Sequence, residues 1–192
     1  MKILSSSLPA AAVLAASLAM PATVAGGDAT RPVAAKPPPA TSEVVKPAVG
    51  GTFPDFRLPD VNGKEVSLSD FRGNAIILSF WSCFTDTCYT SVPVIKDLLA
   101  QYADRGLVAP TVCSEIPAAL EADGYAGLLK NCGTGQIILV DKDMQLARSF
   151  GVKEFPTTYL IDRNYAVWQI IGGVRPLMQE DFRLLVKSLV AE

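Results

Sequence analysis

An α/β fold, with a central mixed sheet flanked by helices, is what the pattern of this chain predicts, and three observations carry the prediction. Short continuous apolar runs such as AIILSFW (75–81) and QIILVD (136–141) alternate with longer stretches of helical period. A strand covered on both faces reads as continuously apolar, whereas a helix lying on a sheet shows a single apolar stripe. The last two runs, PTTYLID (156–162) and AVWQIIGG (166–173), follow each other with no helical stretch between them, so they pair antiparallel and make the sheet mixed.

The elements follow in order. In TFPDFRLPDVNGKEVSLSDFRG two extended pieces flank Val61-Asn62-Gly63-Lys64, and Asn-Gly marks the turn of an N-terminal β-hairpin extension. Ser69 or Asp70 caps the short turn that comes next. AIILSFW is the first buried strand. Val92 to Arg105 reads as a helix, with Ile95, Leu98, Leu99 and Tyr102 on one face and Gly106 as its stop. LVAPTV (107–112) is a second buried strand, and Pro110 predicts an irregular ladder there. Ile116 to Lys130 is a helix, QIILVD a strand, and MQLARSFGV a short helix ending at Gly151. After the final hairpin, Pro176 to Val190 closes the chain as an amphipathic helix with Phe182, Leu185, Val186 and Leu189 on one face.

Upstream of this domain, residues 1–25 read as a signal peptide: Lys2, an apolar Ala/Leu/Val run, then small residues at Ala22 and Ala25. An uncleaved segment would instead tether the chain to a membrane, but Pro9 and several serines interrupt the run. Residues 26–49 are a Pro/Ala-rich linker without hydrophobic period, and residues 50–192 form one domain. Export matters chemically, because cysteines outside the cytoplasm can form and exchange disulfides.

Composition excludes several functions. A net charge of −2 on 192 residues gives no footprint for nucleic acid. The chain has no histidine, which removes Ser–His or Cys–His nucleophile pairs and imidazole metal ligands. Cys83, Cys88, Cys113 and Cys132 lack the paired knuckles of a thiolate zinc site, so no metal and no cofactor is predicted. Asp141 and Asp143 are read as turn and helix-start residues rather than as a metal pair.

FPDFRLPDVNGKEVSLSDFRGNAIILSFW and GVKEFPTTYLID, in this order and spacing, resemble the thioredoxin fold in its TlpA/ResA-type branch of exported bacterial thiol–disulfide proteins, a redoxin- or AhpC/TSA-like domain. The resemblance covers residues 50–192. It implies a periplasmic location, protein thiols or disulfides as partners, and a cis-proline at Pro156. In the family pattern F-W-x-x-W-C-x-x-C-x-x-x-x-P, Phe80, Trp81 and Pro93 match and Phe84 takes the second aromatic position. The resolving cysteine falls on Cys88, but the nucleophilic position falls on Thr85, giving T-x-x-C in place of C-x-x-C. A threonine hydroxyl is far too weak an acid to replace a thiolate.

Three repairs are open. Cys83 and Cys88 form a pair of their own, which is the leading assignment and centres the catalytic set on Cys88, Cys83 and Thr85. In the second, Cys83 pairs with Cys113, since both follow the carboxyl ends of what should be neighbouring strands, where chemistry gathers in open α/β sheets. In the third, Cys88 works alone as a peroxiredoxin-like thiol peroxidase, echoing the T-x-x-C of that family. Trp81, Phe155 and Pro156 are the expected peptide-binding residues, and Glu115 is a candidate proton relay. The competing class is a redox-inert module that binds extended peptide segments by strand addition beside Pro156. Cys132 is expected at the far edge as a plain thiol.

Overall fold

The structure, a computed structural model, describes residues 46–116, 118–132 and 137–191. The expected signal peptide (1–25) and residues 26–45 of the expected linker lie outside the described residues. Strands β1 (Arg57–Pro59) and β2 (Glu65–Ser67) form the expected antiparallel hairpin, with the Asp60 carboxylate accepting the N–H groups of Asn62 and Lys64 at 2.8 and 2.9 Å. The main sheet runs β6 (Ile138–Val140), β5 (Thr111–Glu115), β3 (Ala75–Ser82), β7 (Thr157–Ile161), β8 (Val167–Gly172), with β4 (Leu107–Val108) beside the start of β3. β3 is parallel to β4 and β5, β5 is parallel to β6, and β7 is antiparallel to both β3 and β8. The mixed sheet predicted from the last two apolar runs is therefore present.

Alternation along β3 builds two cores. Ile76, Leu78 and Phe80 face a cluster with Phe53, Phe56, Phe150, Tyr159 and Tyr165. Ala75 and Ile77 face the other side, against α2 (Val92–Tyr102) and α6 (Glu180–Ala191), where Leu98, Phe182, Val186 and Leu189 are buried. At about 25 cal/mol per Å² of apolar surface removed from water, this two-sided burial is the main support of the fold. Trp81, at the end of β3, starts a third cluster with Cys88, Val92, Cys113, Leu128 and Ile138. That cluster sits at the carboxyl edge of the sheet and forms the floor of the site.

Three segments depart from the sequence reading, each for a local reason. The strand expected over 107–112 is two strands separated by Ala109 and Pro110, because proline has no N–H for the ladder. β5 then runs on to Glu115, which draws Cys113 into the sheet. The helix expected from Ile116 to Lys130 is broken into α3 (Ala118–Ala122) and α4 (Ala126–Cys132), since Gly124 and Tyr125 both adopt a φ of 64°. Cys132 is thus the last residue of α4. In MQLARSFGV the Asp141 carboxylate accepts the N–H groups of Leu146 and Ala147 at 2.8 and 2.9 Å, so α5 starts only at Gln145 (Gln145–Ser149). Asp141 is indeed a helix-start residue.

Candidate active site

β3 ends at Ser82, and Cys83 with Phe84 makes the turn into α1 (Asp86–Thr90). α1 is only five residues long because Pro93, at the start of α2, cannot continue it: its ring would clash with the carbonyl four residues back. Thr85 takes the N-cap position in extended conformation (φ −118°, ψ 123°), yet its hydroxyl makes no capping bond. It donates instead towards the Ser82 carbonyl at 3.4 Å and lies 3.3 Å from the Cys88 sulfur. Cys88 occupies the first turn of α1 and is fully buried. Burial pushes its thiol up; the Thr85 hydroxyl and the Ser82 backbone pull the other way, and the nearby Cys83 and Glu115 charges push it further up.

Cys83 has a different environment. Opposite it, the β3–β5 ladder slips: Trp81 faces Cys113 and Ser82 faces Glu115, leaving Ser114 as an extra residue in β5. Such a bulge bends its strand and re-aims the flanking side chains. The Cys83 N–H continues the ladder by donating to the Glu115 carbonyl at 2.8 Å. The Cys83 thiol is half-buried, and the influence of the Cys113 thiol is the leading cause that pulls its pKa down. Partial burial opposes the effect, a hydrogen bond from Tyr89 adds to it, and the Glu115 charge works against it. Cys113 itself is buried in the sheet.

The remaining predicted residues surround these sulfurs. Trp81 is 1% exposed and packs beneath the site, its indole N–H being a buried side-chain donor without a hydrogen-bond partner among the described residues. The Phe155–Pro156 peptide bond is cis, and Phe155 is half-buried against the same cluster as Cys83 and Cys88. Glu115, half-buried at the end of β5, acts on both Cys83 and Cys88 by its charge. Beside them a cavity of about 230 Å³ opens at Phe84, which is 68% exposed, and is lined by Glu115, Asp141, Lys142 and Arg148 among others. Among the described residues no group of His, Cys, Asp or Glu is arranged to hold a metal ion.

Two participants escape the sequence reading. Ser114, the bulge residue, shifts the β3–β5 register beside Cys83, and a bulge has no signature in so short a strand. Tyr89 directly follows Cys88, and its ring stands edge-on to Trp81 with centroids 6.0 Å apart at 74°. Its place in the sequence gives a clue only to its helix, not to its packing on Trp81.

Thiols at the carboxyl edge of a mixed sheet, beside a cis-proline, define the thioredoxin-like class of thiol protein. A profile of the AhpC/TSA family matches residues 49–170. The chain belongs to the AhpC/TSA family, as a TlpA/ResA-type thioredoxin-like protein. The thiol-disulfide oxidoreductase ResA of Geobacillus thermodenitrificans (strain NG80-2) is 33% identical over 142 residues, spanning 74% of this chain and 78% of that protein. A Chlorobium tepidum protein provisionally assigned as thiol:disulfide interchange protein DsbE superposes with a TM-score of 0.67 at 28% identity, over 76% of this chain and 99% of that one. The pneumococcal exposed lipoprotein thioredoxin Etrx1, from Streptococcus pneumoniae strain TIGR4, superposes with a TM-score of 0.57 at 29% identity, over 71% of this chain and 100% of that one.

Proposed function

We propose that this chain is a thiol–disulfide oxidoreductase acting on protein thiols or disulfides outside the cytoplasm, with Cys83 and Cys113 as its exchanging pair. The observation that carries the pairing is the strand register: β3 and β5 run parallel with Trp81 opposite Cys113, and the Cys83 N–H donates to the Glu115 carbonyl at 2.8 Å. This brings Cys83 beside the end of the strand that holds Cys113, whose thiol is the leading influence on the Cys83 pKa. The activity is supported by relatives named as thiol-disulfide oxidoreductases, and the location by the export-like pattern of residues 1–25.

In the reducing direction the Cys83 thiolate attacks one sulfur of a substrate disulfide. That bond breaks, a Cys83–substrate disulfide forms, and the departing sulfur leaves as a thiolate that takes a proton from solvent. Cys113 then gives up its proton to solvent, attacks the Cys83 sulfur and releases the second substrate sulfur as a thiolate, which takes a proton from solvent in turn. The dithiol has lost two electrons and the substrate has gained them; oxidation of a substrate dithiol is the same sequence reversed. Cys88 is set aside because it is buried and its thiol is pushed up, the opposite of what a nucleophile needs. The same two facts speak against Cys88 as a peroxide-reducing thiolate. A second reading keeps the fold without the exchange: Thr85 in the nucleophilic position and Phe155 before the cis-proline suit a module that binds extended peptides.

Equilibration of the purified domain in dithiothreitol redox buffers, followed by mass-shift alkylation, separates the two. A two-electron transition that disappears in Cys113→Ser supports exchange. Thiols that remain reduced across the whole buffer range establish the binding module instead.

A further inference from the structure

We propose that Asp141 is a positioning residue for the exchange: by gripping β5 at Cys113 and at the bulge residue Ser114, it holds Cys113 in place for attack on the Cys83 sulfur. The inference rests on the reading of Cys83 and Cys113 as the exchanging pair and adds the group that fixes the second of them.

The need for such a group follows from the bulge. In the β3–β5 ladder Trp81 faces Cys113 and Ser82 faces Glu115, so Ser114 is passed over and the ladder is interrupted right after the cysteine. Two backbone bonds frame the gap. On one side the Cys83 N–H donates to the Glu115 carbonyl at 2.8 Å, and on the other the Asp141 N–H donates to the Cys113 carbonyl at 2.9 Å. Between them the Ser114 hydroxyl donates to the Asp141 carboxylate at 2.9 Å. Asp141 thus binds two consecutive residues of β5, one through its backbone and one through its side chain.

Capping α5 does not account for this grip. The cap consists of the Leu146 N–H on Oδ1 and the Ala147 N–H on Oδ2, and it needs no contact with β5. The Ser114 hydroxyl is an additional donor on Oδ2, and it joins residues that are 3% and 1% exposed. A hydroxyl-to-carboxylate bond is of the stronger, charge-assisted kind, and burial removes the competition of water. The consequence lies in the second half of the exchange. Cys113 must meet the Cys83 sulfur while that sulfur is bonded to substrate, and a held thiol attacks at a higher effective concentration than one on a loose strand end. The same grip favours the closed disulfide over the open dithiol, because less backbone freedom is lost on closure.

The test is a dithiothreitol redox titration of the purified protein, with the disulfide located by peptide mapping, in wild type, Ser114→Ala and Ser149→Ala. Closing the bond passes two electrons and two protons from the Cys83 and Cys113 thiols to oxidised dithiothreitol. Ser114→Ala removes the grip on the bulge and leaves both cap bonds of α5 in place. Ser149→Ala removes a hydrogen bond within α5, from the Ser149 hydroxyl to the Leu146 carbonyl at 2.8 Å, and leaves β5 untouched. The expected result for Ser114→Ala is an about tenfold smaller equilibrium constant for disulfide formation, a midpoint about 30 mV less negative, with no shift in Ser149→Ala. An unmoved or more negative midpoint in Ser114→Ala overturns the proposal, as does an equal shift in Ser149→Ala, which marks general loosening. A role that is only structural lowers the stability of both redox forms alike and leaves the midpoint where it is. Should Ser114→Ala not fold by circular dichroism, amide hydrogen exchange of the wild type decides. The Cys83 and Asp141 N–H groups are expected to be protected in the reduced protein to within about threefold of the oxidised one. Protection that arises only with the disulfide overturns the proposal. An oxidised wild type without a Cys83–Cys113 bond defeats the parent reading and this one with it; a mapped bond whose midpoint Ser114→Ala does not move defeats this one alone.

Discussion

Two cysteines five positions apart, one on each side of the Thr85 cap, show how differently one short loop can treat a sulfur. Cys88 sits where the family motif places a functional thiol, and the structure closes it off: it is buried, bonded to the Thr85 hydroxyl, and harder to ionise than an ordinary thiol. Cys83 sits where the motif places none, and it is half-exposed and, chiefly through the Cys113 thiol, easier to ionise. Register within a motif locates the loop; solvent access and hydrogen-bond partners decide which sulfur can react.

Removing the reactive corner should have the largest effect. Cys83→Ser is expected to lower disulfide-reductase turnover by at least about a hundredfold, measured with a fluorescent disulfide substrate, since no other described sulfur is both accessible and activated. Cys113→Ser should leave the first attack intact but trap the protein as a stable mixed disulfide, visible as a mass increase on non-reducing analysis. Retained turnover in Cys83→Ser would reverse the ranking of the two corners.

The pH dependence sharpens the contrast. In reduced wild type, iodoacetamide should modify Cys83 at lower pH than Cys88, because the pKa of Cys83 is pulled down, mainly by the Cys113 thiol, and that of Cys88 is pushed up, mainly by burial. The signs carry over to stability. Cys83, depressed in the folded state, contributes stability that is present above the ordinary thiol range and fades as pH falls through its folded pKa. Cys88, raised when folded, contributes stability that is present below that range and fades as pH rises through its folded pKa. Urea unfolding of the two serine variants should therefore drift in opposite directions through the alkaline range: Cys83→Ser loses stability as pH rises, and Cys88→Ser gains it.

A smaller effect is expected from Cys88 itself. Cys88→Ser places a hydroxyl in an apolar cluster and should cost about 1–2 kcal/mol by urea unfolding, while changing turnover by less than about threefold. Smaller still, Thr85→Val removes the hydroxyl beside Cys88, which makes no capping bond, and should cost under about 1 kcal/mol in the same measurement.

Much of the architecture was legible because it follows from periodicity. β3, α2, the Asn-Gly hairpin and the antiparallel β7–β8 pair are each written in apolar spacing or turn chemistry, and the resemblance around FPTTYLID pointed to the cis bond at Pro156. The broken helix at Gly124 and Tyr125 was not, because its apolar pattern runs through the break. Nor did the sequence show which sulfurs meet. The surroundings of Cys83 and Cys88 turn on one extra residue, Ser114, in a five-residue strand, and on the Thr85 hydroxyl lying against the Cys88 sulfur, and neither has a pattern in the sequence.

The central claim is tested most directly by mapping the disulfide of the oxidised domain: mild oxidation, blocking of free thiols, proteolysis without reduction, and mass spectrometry of the linked peptides. The account predicts a peptide pair joined through Cys83 and Cys113, with Cys88 recovered in its blocked, reduced form. A Cys83–Cys88 bond, or four reduced cysteines under the same conditions, would contradict it.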